Sequence, residues 1–261
     1  MSATVGETAV LARTVARKSL VLRRRYAFNT VTNLLTVYVF FALVVFGGRT
    51  LAPGAVEDSL SGIVVGFFLL LMASVAYADL SWELIREAQW GTLEQLYMSP
   101  LGFGRVVAVK TAVNLLVSFA YGVVLLAAML VTTDARVTVA PIAVLVLGAL
   151  TLCSAVGVGF ALGGLALVFK RIESVFQLVQ FGFVALIALP VESVPLAKLL
   201  PLAVGSHLLR QTMSEGTALW ALPAVDLALL GLTAVGYAGA GYYVFRLGAR
   251  RARRSGRLGQ Y

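Results

Sequence analysis

The chain alternates between long apolar runs and short polar breaks, and this alternation limits its fold more than any other feature. Six apolar runs are separated by segments rich in charged residues or prolines. A hydrocarbon core of about 30 Å needs roughly 20 apolar residues in a helix, whose backbone groups bond one another. The sequence therefore predicts six transmembrane helices, at 30–46, 61–78, 111–131, 141–169, 175–189 and 223–245.

The composition agrees with an all-α polytopic membrane protein that forms a single transmembrane domain over residues 1–261. Hydrophobic residues make up 60% of the 261-residue chain and charged residues only 13%, about half the charged share of soluble domains. The one cysteine, Cys153, and the one histidine, His207, provide no disulfide framework, thiolate metal site or catalytic triad. We expect no cofactor, metal or catalytic residue in this chain.

The basic residues cluster at the two ends of the chain, next to apolar spans. Residues 1–28 contain a predicted amphipathic helix in the membrane interface, and residues 246–261 form a basic tail. The net charge of +9 in this arrangement favours anionic lipid headgroups as partners and argues against nucleic acid.

The distribution of positive charge predicts the orientation. Six spans place both termini on one side, together with seventeen of the 21 lysines and arginines. The other side holds Arg49, Arg136, Lys198 and Arg210. The positive-inside rule therefore predicts that both termini lie in the cytoplasm. We expect a multi-pass protein of the plasma membrane.

The segment 83–100, between the second and third spans, is too polar for hydrocarbon. Glu83, Arg86, Glu87 and Glu94 lie in it. Its second half has the pattern of a short helix, with Thr92 and Gln95 as a capping box, an apolar face and a proline stop. We expect a small cytoplasmic helix that can dock in a groove of a partner.

This segment also resembles the hallmark of the type-2 ATP-binding-cassette (ABC) permeases. The resemblance lies in Arg86-Glu87, Gly91-Thr92-Leu93-Glu94, Leu96 and Ser99-Pro100, and Lys110 is similar to the lysine that opens the next span in that family. It implies a coupling helix that docks on an ABC ATPase subunit. The implied docking residues are Glu87, Gly91, Thr92, Leu93, Glu94, Leu96 and Pro100.

The resemblance further implies a pair of permeases, identical or different, that export a substrate with two ATPase subunits. The chain itself has no G-x-x-x-x-G-K-[ST] motif, so ATP and Mg are expected on the partner ATPase.

Three polar residues lie within the predicted spans. Asn33 is in the first, while Gln177 and Gln180 share a helical face of the fifth. They are candidates for the transport pathway or a dimer face, and ordinary interhelical hydrogen bonds explain them equally well. Gly159 and Gly163 in the fourth span form a small-xxx-small pair that predicts close helix contact.

Residues 190–220 are apolar but broken by prolines, which predicts two short re-entrant or interface-lying helices. Pro190, Pro201 and Arg210 resemble the outer half-helices of type-2 ABC permeases, which implies an outer gate. The chain departs from that pattern in having Leu200 where asparagine commonly precedes the proline.

Other functions stay open at this point. An ion-coupled secondary carrier usually keeps charges in the bundle interior, and the spans show none clearly at their middle. A membrane-embedded lipid-modifying enzyme needs a catalytic cluster, which only Asp79, Glu83 and Glu87 approach. A scaffold without transport activity is also compatible. The substrate is not indicated by any residue.

Overall fold

The computed structural model describes residues 5–25, 27–90, 98, 101–169 and 172–254. This part of the chain is helical and contains no strand. The helices are α1 Val5–Arg25, α2 Ala27–Leu51, α3 Pro53–Gln89, α4 Phe103–Thr133, α5 Pro141–Val168, α6 Glu173–Ala188, α7 Ala203–Ser214 and α8 Ala224–Arg254. Short 3-10 helices lie at Pro195–Leu199 and Leu219–Ala221.

Five of the described helices, α2, α3, α4, α5 and α8, are long and apolar enough to cross a membrane. The chain thus has the helices of a multi-pass membrane protein. The remaining predicted span corresponds to α6, whose 16 residues extend about 24 Å. Helices α2, α3, α4 and α8 are longer than their predicted spans, since backbone hydrogen bonding continues past the last apolar residue, whereas α5 matches its span to within one residue.

Helix α3 is the centre of the bundle. It contacts α2, α4, α5, α6 and α7. In the most apolar stretch of α3, 67% of the residues are buried, whereas in the corresponding stretch of α2 only 11% are. Large side chains such as Phe68, Leu71 and Met72 are fully buried on it. The apolar surface of α2 therefore lies mostly on the outside of this single chain.

Glycine contacts show that α5 and α8 run in parallel. A Cβ added to Gly241 would collide with the carbonyl oxygen of Gly157. Seven residues later in both helices, a Cβ added to Gly248 would collide with the carbonyl oxygen of Gly164. Because the sequence separation is the same for both pairs, the two helices run in the same direction. The chain must return across the bundle between them, and α6 packs against α3 in that stretch.

The predicted small-xxx-small pair on α5 packs toward α3. A Cβ on Gly159 would lie 2.7 Å from the Tyr77 carbonyl oxygen, whereas one on Gly163 would lie 3.4 Å from the flexible Leu84 side chain. The close approach is thus confirmed mainly at Gly159. The pairing of Gly157 and Gly164 with α8 is not evident in the sequence, because glycines seven residues apart do not form the familiar small-xxx-small pattern.

Between α6 and α8 the chain turns into the bundle and out again. The Leu202 amide donates to Ser154 Oγ at 3.2 Å. At a rise of 1.5 Å per residue, Ser154 lies about 20 Å from the start of α5. Helix α7 then leads outward, and its Met213 carbonyl accepts from the Thr138 amide at 2.7 Å. Leu202 has a φ of 68°, a strained conformation for a branched residue.

Candidate functional site at the basic end of the bundle

The candidate site lies at the end of the bundle where α3, α5 and α8 finish, here called the basic end. The predicted coupling segment starts here, but only its first part is described. Glu83–Gln89 continues α3 as regular helix. The predicted docking residues Gly91, Thr92, Leu93, Glu94, Leu96 and Pro100 lie outside the described residues.

A cluster of four charged side chains surrounds the last turns of α3. Lys110 Nζ on α4 lies 3.0 Å from Glu83 Oε1 and 2.9 Å from Glu87 Oε1, and Lys18 Nζ on α1 lies 3.5 Å from Glu87 Oε1. The Lys110 side chain is only 7% exposed and that of Glu87 only 9%. Burying both charges is tolerable because each faces the opposite sign.

This burial changes the interpretation of Glu87. The family resemblance implies that Glu87 contacts a partner, whereas in the structure its carboxylate lies inside the chain between Lys110 and Lys18. The physical reason is helical periodicity. Glu83 and Glu87 are four residues apart on α3 and so share the face that packs against α4.

A second polar cluster lies two helical turns along α3 from Glu87. Arg23 Nη2 on α1 donates to Asp79 Oδ2 at 2.7 Å, and Arg23 Nη1 donates to the Tyr121 hydroxyl of α4 at 2.7 Å. Burial alone lowers the pKa of Arg23, but Asp79 and Tyr121 outweigh it and raise that pKa above its usual value. Asp79 is therefore a charge that anchors α1.

The two clusters together join α1, α3 and α4. Asp79, Glu83 and Glu87 form one acidic stripe at four-residue spacing. Asp79 pairs with a cation of α1, Glu83 with a cation of α4, and Glu87 with one from each. The stripe was visible in the sequence as an incomplete catalytic cluster. Its role as the seam of three helices depends on Lys18, Arg23 and Lys110, which are distant in sequence.

The predicted pathway residues separate in the structure. Gln180 is half-buried, donates to Ser74 Oγ at 2.7 Å and accepts from the Tyr77 hydroxyl at 3.2 Å. Gln177 and Asn33 are exposed on the outside of the single chain. Gln180 therefore makes interhelical hydrogen bonds, which the sequence offered as one explanation of the polar residues in the spans. The side chains of Asn33 and Gln177 face outward.

The predicted gate residues lie between the middle of the bundle, where Leu202 meets Ser154, and the end opposite the basic end. Pro190 is exposed just after α6, and Pro201 is buried just before α7. Arg210 on α7 donates from Nη2 to the Ile187 carbonyl at 2.7 Å, which satisfies one of the carbonyls left unpaired at the end of α6.

A further ion pair, which sequence reasoning did not find, joins this region to α8. Lys198 Nζ lies 2.6 Å from Asp226 Oδ1, and the Asp226 side chain is 8% exposed. The sequence signal available was Asp226 in the first turn of α8, where the helix dipole favours an anion.

Comparison with known proteins finds no matching family model, no matching curated protein and no matching solved structure.

Proposed function

We propose that this chain is the membrane-spanning permease subunit of an ABC transporter and exports a substrate with ATP hydrolysed by a separate subunit. The observation that carries the proposal is the segment 83–100, which combines the type-2 permease pattern with a capped short helix in the sequence. Its near end is the buried charge cluster of Glu83, Glu87 and Lys110.

Six crossings are the count that best fits this proposal. The parallel contact of α5 with α8 requires one return between them, and α6 is the helix available for it. The region around Pro201 and α7 then acts as a re-entrant pair of half-helices at the outer end. The positive-inside rule places the basic end, both termini and the coupling helix in the cytoplasm.

In this proposal the charge cluster transmits force to the membrane helices. Docking of the ATPase on Gly91, Thr92, Leu93, Glu94, Leu96 and Pro100 moves the end of α3, and the ion pairs carry α1 and α4 with it. Glu87 is assigned a positioning role inside the chain. The ATPase must favour one of two permease arrangements for ATP to drive the change.

The remaining residues have proposed roles by position. Pro190, Pro201 and Arg210 shape the outer gate. The exposed Asn33 and Gln177 line the pathway or the face toward a second permease copy, since polar side chains are costly against lipid. ATP and Mg are held by the partner ATPase.

The test uses the single cysteine. In a Cys153→Ala background, Glu94→Cys and Glu215→Cys are labelled with a membrane-impermeant maleimide, in intact cells and in inverted vesicles. We expect Glu94→Cys to react only in inverted vesicles and Glu215→Cys only in intact cells. The opposite pattern contradicts the docking role, because position 94 would then face away from a cytoplasmic ATPase.

A photo-reactive amino acid at position 96 identifies the partner. We expect mass spectrometry of the cross-linked product to contain an ABC ATPase, and the same probe at the exposed position 105 provides the comparison. Cross-links to lipid alone at position 96 would instead favour an ion-coupled carrier or a lipid-modifying enzyme. The partly buried pair of Lys198 and Asp226 is the feature that a carrier would use.

A further inference from the structure

A groove of about 460 Å³ lies between α5 and α8 at the basic end. Its floor contains Gly164 and Gly248, whose backbones are in contact. Because neither residue has a side chain, the helices approach closely and leave a channel on their outer side. The walls of the groove are the exposed apolar side chains of Leu165, Phe169, Val244 and Leu247.

One end of the groove is positively charged. Arg251 lines it and lies four residues after Leu247 on the same face of α8, toward the end of the helix. Arg246 and Arg250 are exposed beside it on the same helix. The groove therefore presents an apolar strip that ends at a cation, on the side of the bundle where the positive charge of the whole chain is concentrated.

We propose that this groove binds one anionic phospholipid, with an acyl chain along the α5–α8 groove and the phosphate at Arg251. A guanidinium binds a phosphate through two parallel hydrogen bonds, and basic pockets between membrane helices on the cytoplasmic side bind anionic headgroups. The groove volume is within the range of ordinary small-ligand sites, about 300–1,000 Å³.

The charge at one end distinguishes a lipid from a helix of a second copy. A partner helix would place its apolar side chains against the glycine floor but gain nothing from the arginine, unless it carried an acid there. A phospholipid matches both the apolar wall and the positive charge that Arg251 adds at its end. The site does not depend on an ATPase, so its test is independent of the proposed transport function.

Native mass spectrometry of the purified full chain tests the proposal, with phosphatidylglycerol and phosphatidylcholine added in equal amounts. We expect the wild-type chain to retain phosphatidylglycerol preferentially. Arg251→Gln should lower that preference by about fivefold. Arg250→Gln is the matched control, because it removes the same charge from the same helix outside the groove, and it should keep the preference.

A second variant tests the apolar wall. Leu247→Trp fills the groove and should reduce the retention of both lipids while leaving Arg251 in place. Equal losses for Arg251→Gln and Arg250→Gln would overturn the proposal in favour of a diffuse basic surface. Equal retention of the two lipids by the wild-type chain would also overturn it, as would a disulfide between two copies that carry Leu247→Cys.

Discussion

Nζ of Lys110 lies 2.9 Å from Oε1 of Glu87, and both side chains are more than nine-tenths buried. The contact joins α4 to the last turns of α3, directly before the segment proposed to dock on an ATPase. Glu83, at 3.0 Å from the same Nζ atom, provides the second carboxylate. Removing only the cation or only the carboxylates from such a cluster costs free energy, because it leaves a charge without its partner. The first prediction follows from this cost.

Lys110→Met should destabilise the chain by about 3 kcal/mol, because it leaves the buried Glu87 with the more distant Lys18, at 3.5 Å, and removes the cation that faces the partly exposed Glu83. The triple variant Lys110→Met, Glu83→Gln, Glu87→Gln should recover most of the loss. Thermal unfolding of the purified chain in detergent measures both. Arg105→Gln, on the exposed side of α4, is the control and should change stability by less than about 0.5 kcal/mol. Equal effects of Lys110→Met and Arg105→Gln would show that the cluster is not structural.

Charge reversal at Glu87 and at Glu94 should have different effects, although the sequence alone assigns both residues to docking. Glu87→Lys puts a third cation beside Lys18 and Lys110 and should lower the unfolding temperature. Glu94→Lys should leave that temperature unchanged and abolish co-purification of the ATPase. Thermal unfolding and affinity capture on the same preparations separate the two roles. Undiminished capture by the Glu94→Lys variant would contradict the docking proposal.

Three glycine substitutions should rank by the space around each residue. Gly159→Ala places a Cβ 2.7 Å from the Tyr77 carbonyl oxygen, so the backbones of α3 and α5 must separate, at a cost of about 1–3 kcal/mol. Gly163→Ala meets the side chains of Leu84 and Phe245 at ordinary contact distances of 3.4–3.8 Å and should cost less. Gly231→Ala has open space and should gain about 0.5–1 kcal/mol from helix propensity. Chemical unfolding in mixed micelles gives the order, and a reversed order would contradict the packing of α3 on α5.

The two glutamines of α6 should also behave differently. Gln180→Ala removes hydrogen bonds to Ser74 and Tyr77, and interhelical bonds in membranes contribute about 0.6 kcal/mol each. Gln177→Ala removes none of these bonds and should leave stability unchanged. If Gln177 lines the pathway or the dimer face, its replacement lowers transport or dimer formation instead. Transport in vesicles and cross-linking of copies measure these outcomes, and a stability loss at Gln177 alone would contradict the assignment.

The membrane class and much of the helix order followed from local properties of the chain. Apolar runs long enough for hydrocarbon predict helices wherever they occur, because an unpaired backbone group is too costly there. Prolines predict where residues 190–220 break for the same local reason. The outward direction of Arg13 and Arg17 likewise follows from helical periodicity.

The partners of the charged and small residues were decided only by the tertiary structure. Glu87 reads as a surface acid in the sequence, and its burial depends on Lys110 and Lys18, brought beside it by the packing of α4 and α1 on α3. Gly157 and Gly164 gain their meaning from Gly241 and Gly248, 84 positions later. Local sequence determines which segments are helices, since those hydrogen bonds are made within a few residues. Contacts between helices depend on relative position and rotation, which single-chain periodicity does not contain.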